Sequence, residues 1–312
     1  MKFFNIFLTI ILAATGLYAI FLFIADFKLI FNSILNIKSE FLLITILLVS
    51  TGWMIAFARW NLLLRNSGIN IPFKKNIIIY LAGFALGVVP GTVGELIKAQ
   101  LLKNNFQISR TKTAPIVLIE RLYGLIGATS VSIVGAWFLE PLGYIIIVSF
   151  CILIFGFILL SSKKLFYLCI NFFRKIKITS KFVEPFSDSY DSIHQSIKGK
   201  IIILASLLSI IYWLFLSSAV YFILLAFGID FLDYFNVVST FASSTILGIA
   251  SLIPAGLGVT EGSLIGLFTL QGLETSTTII IAVFIRIFTL WYSVAVGFVA
   301  LKIIGGLLDE NT

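Results

Sequence analysis

Residues 86–102 read LGVVPGTVGELIKAQLL, and residues 250–268 read ASLIPAGLGVTEGSLIGLF. Each stretch interrupts an apolar run with a proline, two glycines and a glutamate. The first set is Pro90, Gly91, Gly94 and Glu95; the second is Pro254, Gly256, Gly258 and Glu261. Each is followed by an arginine inside a long apolar segment, Arg121 lying 26 residues after Glu95 and Arg286 lying 25 residues after Glu261. The breaks divide regions 76–103 and 236–270 into arms of about 10–19 residues, against the roughly 20 that a bilayer-spanning helix needs. Two interrupted segments at corresponding positions of two halves point to a transport site. The glycines let another group approach the backbone. Helices restarting near Val93 and Val259 would present free N–H groups and a positive dipole end, which attract anions.

The rest of the composition agrees with a membrane setting. The chain has 312 residues, 60% of them hydrophobic and 12% charged, with a mean hydropathy of +1.11. Soluble domains carry about 25% charge, and this chain could not cover a water-facing surface with so little. Its 31 Phe are equally foreign to a disordered chain. The net charge of +8 reads as a topology signal, since Lys and Arg accumulate in cytoplasmic loops, and not as nucleic-acid binding. Cys151, Cys169 and the single His194 have no metal-ligand spacing, so neither metal nor cofactor is expected. No P-loop motif is present, which argues against ATP hydrolysis by this chain.

The predicted fold is an all-α polytopic membrane protein. Six segments are long enough to span: 4–25, 41–64, 113–139, 142–162, 201–226 and 276–304. The first reads as a retained helix and not a signal peptide. Loops 65–75, 104–112 and 163–200 are basic, with Lys98 and Lys103 just before the second, and are assigned to the cytoplasm. Loops 26–40, 227–235 and 271–275 are balanced or acidic and are assigned outside. One path satisfies these signs: both termini are cytoplasmic, and 76–103 and 236–270 form re-entrant hairpins of opposite orientation, an inverted repeat. Ten full crossings is the competing topology. The single transmembrane domain, 1–312, then divides into a first half 4–162, the basic loop 163–200 and a second half 201–306.

Six ionisable residues fall at membrane depth: Arg59, Glu95, Glu120, Arg121, Glu261 and Arg286. At lipid-facing helix centres each would cost about 2.5–3.5 kcal/mol, so they must be paired, hydrated or near an interface. Glu120 and Arg121 point about 100° apart on a helix, so each needs its own partner. Arg59 is expected to snorkel to the cytoplasmic interface. Trp53, Trp60, Trp137, Trp213 and Trp291 read as interface anchors. Glu95 and Glu261 can serve as helix-start acceptors, with Arg121 and Arg286 as structural counter-ions, or all four can form a working site. The basic loop reads as a topology determinant, with binding to anionic lipid as the alternative.

PGTVGE followed by IERLYG, with IPAGLGVTE followed by an arginine in the next helix, resembles the transmembrane domain of lysylphosphatidylglycerol synthetases and their stand-alone flippase-like relatives. The resemblance covers roughly residues 5–305. It implies movement of a membrane lipid between leaflets: an anionic or aminoacylated phospholipid, or a polyprenyl-linked lipid. These 312 residues carry no transferase domain, so lysyl transfer is not expected. The motif positions are Pro90, Gly91, Gly94, Glu95, Glu120, Arg121, Pro254, Gly256, Gly258, Glu261 and Arg286. Bacterial inner-membrane localisation follows from the same resemblance, and homo-oligomerisation stays open. An intramembrane lipid-modifying enzyme, with Glu95 or Glu261 as acid/base, and a scaffold of an envelope-lipid pathway are the alternatives.

Overall fold

The computed structural model describes residues 35–88, 96–133, 140–175, 190–197 and 199–305, with the isolated Gly16. The expected span 4–25, the first break with Pro90, Gly91, Gly94 and Glu95, Trp137 and parts of the basic loop therefore lie outside the described residues. Among the described residues all regular structure is helical, as the long apolar runs require. We number the α-helices α1 (Ser39–Asn66), α2 (Phe73–Ala82), α3 (Ile97–Phe106), α4 (Arg110–Ile133), α5 (Glu140–Ser161) and α6 (Lys163–Arg174). They continue with α7 (Tyr190–Ser196), α8 (Gly199–Ala226), α9 (Tyr234–Ala250), α10 (Val259–Leu270), α11 (Thr275–Arg286) and α12 (Tyr292–Ile303). A π-helical segment, Ile287–Trp291, joins α11 to α12. Among the described residues, four stretches are long and apolar enough to cross a bilayer: α1, α4, α8 and the joined Thr275–Ile303. The chain is thus an integral membrane protein.

The frame is the antiparallel pair α1 and α8. The Lys38 amide donates to the Ala226 carbonyl at 3.0 Å, Thr45 reaches the Ala219 carbonyl, and Arg59 reaches Ser209. These contacts run in opposite directions along the two helices, so the end of α1 lies beside the start of α8. Helix α4 crosses α8 closely at Gly127, where a Cβ would fall 2.5 Å from the Ser209 carbonyl oxygen.

Two pairs of short helices are packed into this frame. In the first, Lys75 early in α2 lies over the Phe106 ring at the end of α3, while Gly83 just after α2 touches Lys98 near the start of α3. The two arms therefore run antiparallel. The second pair behaves alike: Gln271 just after α10 donates to Thr240 in α9 at 2.7 Å, and Gly248 near the end of α9 meets Thr260 at the start of α10. Asn76 of α2 bonds to Trp60 and Asn61 near the end of α1, and Phe84 stacks on Trp53 near its middle. Tyr234 of α9 bonds to Ser218 near the end of α8, and Phe241 packs on Trp213 near its middle. Since α1 and α8 are antiparallel, the two pairs enter the frame from opposite ends.

Two expectations change and a third is refined. Residues 163–200, read as a loop, contain helices α6 and α7. The span 276–304 stands as one long apolar helix, Thr275–Ile303, and gains a π segment after Arg286. Trp53, Trp60 and Trp213 are not interface anchors: they are at most 5% exposed. Trp60 donates its ring N–H to Asn76, and Trp213 donates to the Gly124 carbonyl. Trp53 and Trp213 sit near the middle of α1 and α8, and Trp60, nearer an end, faces a neighbouring helix.

Helix α12 meets the tip of the first pair at Gly297. A Cβ there would lie 2.2 Å from the Ala85 amide nitrogen and 2.7 Å from the Phe84 carbonyl carbon. Both are backbone atoms that no rotamer change can move. Gly297→Ala should therefore destabilise the detergent-solubilised protein by about 1–3 kcal/mol, seen as a lower thermal unfolding midpoint. Gly266→Ala, with open space at its Cβ, should leave the midpoint unchanged or slightly raised.

Candidate functional site

Four segments converge on the carboxylate of Glu120, which is 5% exposed near the middle of α4. Its Oε2 accepts from the Lys98 ammonium of α3 at 2.5 Å. Its Oε1 faces the Arg59 guanidinium of α1 at 3.5 Å. Arg59 also donates to the Ser209 hydroxyl of α8 at 2.7 Å. Arg59 is 5% exposed and Lys98 3%. The Lys98 ammonium further sits over the Trp60 ring at 4.5 Å and the Tyr80 ring at 5.3 Å. Aromatic faces are a good lining for a desolvated cation.

Arg59 therefore does not snorkel. Its side chain turns inward because a buried carboxylate and a hydroxyl are within reach. Lys98, counted from sequence as a cytoplasmic flank, is a core residue of the same cluster. A lysine near the end of an apolar segment satisfies either role, and only its rotation on α3 decides between them. Glu120 and Arg121 diverge as their adjacency demands. Arg121 is exposed and lies within electrostatic reach of Tyr212, Arg59 and Tyr80.

The second cluster is built on the second break. Pro254 begins a short 3₁₀ turn, and the chain then passes through positive φ at Ala255 (52°), Gly256 (64°) and Gly258 (82°). Gly256 is needed for space as well: a Cβ there would lie 2.8 Å from the Gly248 backbone. Helix α10 restarts at Val259, as the sequence suggests. Glu261, fully buried, accepts the Gly258 amide on Oε2 at 2.8 Å, which caps the helix start. Its Oε1 accepts from Arg286 Nε at 2.8 Å. Arg286 also donates through Nη2 to the Ala255 carbonyl at 2.6 Å, a carbonyl freed by the break.

The structure thus pairs Glu261 with Arg286 and brings Glu120 together with Arg59 and Lys98, while Glu95 lies outside the described residues. Both tips rest on the same long helix, Thr275–Ile303. Arg286, the last residue of α11, holds the second tip, and Gly297 of α12 holds the first, so the π segment lies between them. Ala255 and Leu257 of the second tip pack into the apolar cluster that contains Leu86 and Val88 of the first. Short π segments recur at functional sites, and no residue type in Ile287–Trp291 announces this one.

Removing Glu120 leaves two buried cations facing each other. Glu120→Ala should cost about 3–5 kcal/mol of stability. Lys98→Met should cost less, because Arg59 still faces the carboxylate. Unfolding midpoints in detergent measure both; equal losses would show that Glu120 is not the shared acceptor.

Comparison with known proteins agrees with this architecture. The family described as lysylphosphatidylglycerol synthase TM region matches residues 7–297. A UPF0104 membrane protein of Methanocaldococcus jannaschii is 27% identical over 233 residues, covering 71% of this chain and 94% of that protein. A UPF0104 membrane protein of Pyrococcus horikoshii is 26% identical over 292 residues, covering 83% of this chain and 85% of its own. With a match along nearly its whole length, the chain belongs to the lysylphosphatidylglycerol synthase transmembrane-region family.

Proposed function

We propose that the chain moves a lipid headgroup between membrane leaflets through the region where the two helix pairs meet. The observation that carries this is the convergence of two antiparallel pairs, entering from opposite ends, on one long helix that carries a π segment, with buried ion pairs beside them. On this reading both pairs are re-entrant. Helices α2 and α3 have 10 residues each, about 15 Å of helix in a hydrocarbon core of about 30 Å. The other long segments cross fully, six in all with 4–25, and the halves form an inverted repeat in a bacterial inner membrane with both termini cytoplasmic.

Arg121 is the residue we assign to the phosphate. It lies at the middle of α4, away from any loop and within electrostatic reach of Tyr212, Arg59 and Tyr80. Glu95, Glu120, Glu261 and Arg286 complete the path, the acids balancing the arginines when no headgroup is present. An anionic or aminoacylated phospholipid, or a polyprenyl-linked lipid, suits this lining, and the family's name supports a lipid context. Transport is favoured over catalysis because both Glu261 oxygens are already engaged, one by Arg286 and one by the Gly258 amide.

Proteoliposomes carrying fluorescent phosphatidylglycerol test the proposal, with leaflet exchange followed by quenching of the outer leaflet. Wild-type protein should equilibrate the leaflets. Arg121→Gln and the Glu261→Ala/Arg286→Ala double variant should each slow exchange about ten-fold or more, which corresponds to about 1.4 kcal/mol in the barrier. Equal rates from folded variants would overturn the site assignment.

A further inference from the structure

Helix α6 (Lys163–Arg174) follows α5 almost without a loop. Ser162, in extended conformation at ψ 112°, breaks the axis, and its side chain accepts the Leu165 amide to cap the new helix. Since α5 is an apolar helix of 22 residues, α6 begins where a membrane-crossing segment would leave the hydrocarbon. At 100° per residue its surface divides into three strips. Phe166 is buried and Ile170 is partly buried, facing the protein, where Phe166 stacks on Tyr190 of α7. A second strip of Leu165, Leu168 and Phe172 is apolar and exposed, at 41%, 63% and 61%. The third strip is basic: Lys163, Lys164 and Arg174, with Lys175 just beyond, and no acid anywhere in 163–175.

A helix packed on its protein by one strip does not need a second apolar strip facing water. Apolar and cationic strips side by side are what an interfacial helix presents to a bilayer with anionic headgroups. Ile154, Phe155 and Ile158 of the preceding α5 are likewise apolar and exposed. We propose that α6 lies in the membrane interface, with Leu165, Leu168 and Phe172 among the upper acyl chains and its lysines and arginine binding anionic lipid headgroups. The helix is a lipid-recognition surface separate from the two ion clusters, and it does not depend on the transport reading.

Spin labels on the full chain test this, in a Cys151→Ser/Cys169→Ser background reconstituted into phosphatidylcholine vesicles containing phosphatidylglycerol. The label at Phe172→Cys should be accessible to oxygen and shielded from a water-soluble nickel reagent. The label at the neighbouring Asn171→Cys should show the reverse. Spin-labelled phosphatidylglycerol should associate with the protein in preference to spin-labelled phosphatidylcholine. That preference should fall about five-fold or more in the Lys163→Gln/Lys164→Gln/Lys175→Gln variant. A water-accessible label at Phe172→Cys would overturn interfacial seating. Shielding from both reagents would overturn it in favour of a covering protein. An unchanged lipid preference in the triple variant would overturn headgroup binding.

Discussion

Glu120 sits in an apolar interior where a lone carboxylate is too costly to keep, and its neutralisation organises the molecule. Its two oxygens draw Lys98 from α3 and Arg59 from α1, and Arg59 in turn engages Ser209 of α8. One buried charge thereby ties four chain segments together. The first short helix pair is held partly through this cluster and partly through Asn76 on Trp60 and Asn61 and Phe84 on Trp53. The Trp60 and Tyr80 rings beside the Lys98 ammonium complete the lining. The compensation is electrostatic and local, so the arms can be short without leaving a charge exposed to lipid.

The second pair solves the same problem by different means. Its break releases backbone groups as well as burying a charge. Glu261 takes up the freed Gly258 amide, and Arg286 takes up the freed Ala255 carbonyl, while the two side chains neutralise each other. Irregular backbone is tolerable at membrane depth only when such groups are satisfied. The turn needs positive φ at three positions, two of them glycine, and Gly256 also lets the chain pass close to Gly248. The halves share a plan in sequence; among the described residues the first shows a three-residue cluster and the second a capped ion pair.

Much of this was legible beforehand. The restart of a helix at Val259 follows from the Pro-Gly-Gly punctuation, and the Glu261–Arg286 pair follows from two charges that could not both be left alone in an apolar setting. The divergence of Glu120 and Arg121 follows from helical geometry. What was misjudged shares one cause. For Arg59, Lys98 and Trp60 nearness to a span end suggests the interface, yet each is decided by the face of the helix it occupies. Long side chains near an end can reach outward or inward with equal ease, and the partner that draws them inward lies on another helix: Asn76 is 16 residues from Trp60, Glu120 is 22 from Lys98 and Ser209 is 150 from Arg59.

The sequence by itself determined that this chain is a helical membrane protein with two interrupted segments, because hydrophobic run length and Pro/Gly punctuation act locally. It also determined how few charges there were to place. Only the tertiary structure decided which of them meet. Helix rotation and the antiparallel setting of α1 and α8 are fixed by contacts between different helices, Arg59 and Ser209 lying 150 residues apart, and no local pattern encodes them or the π segment between Arg286 and Tyr292.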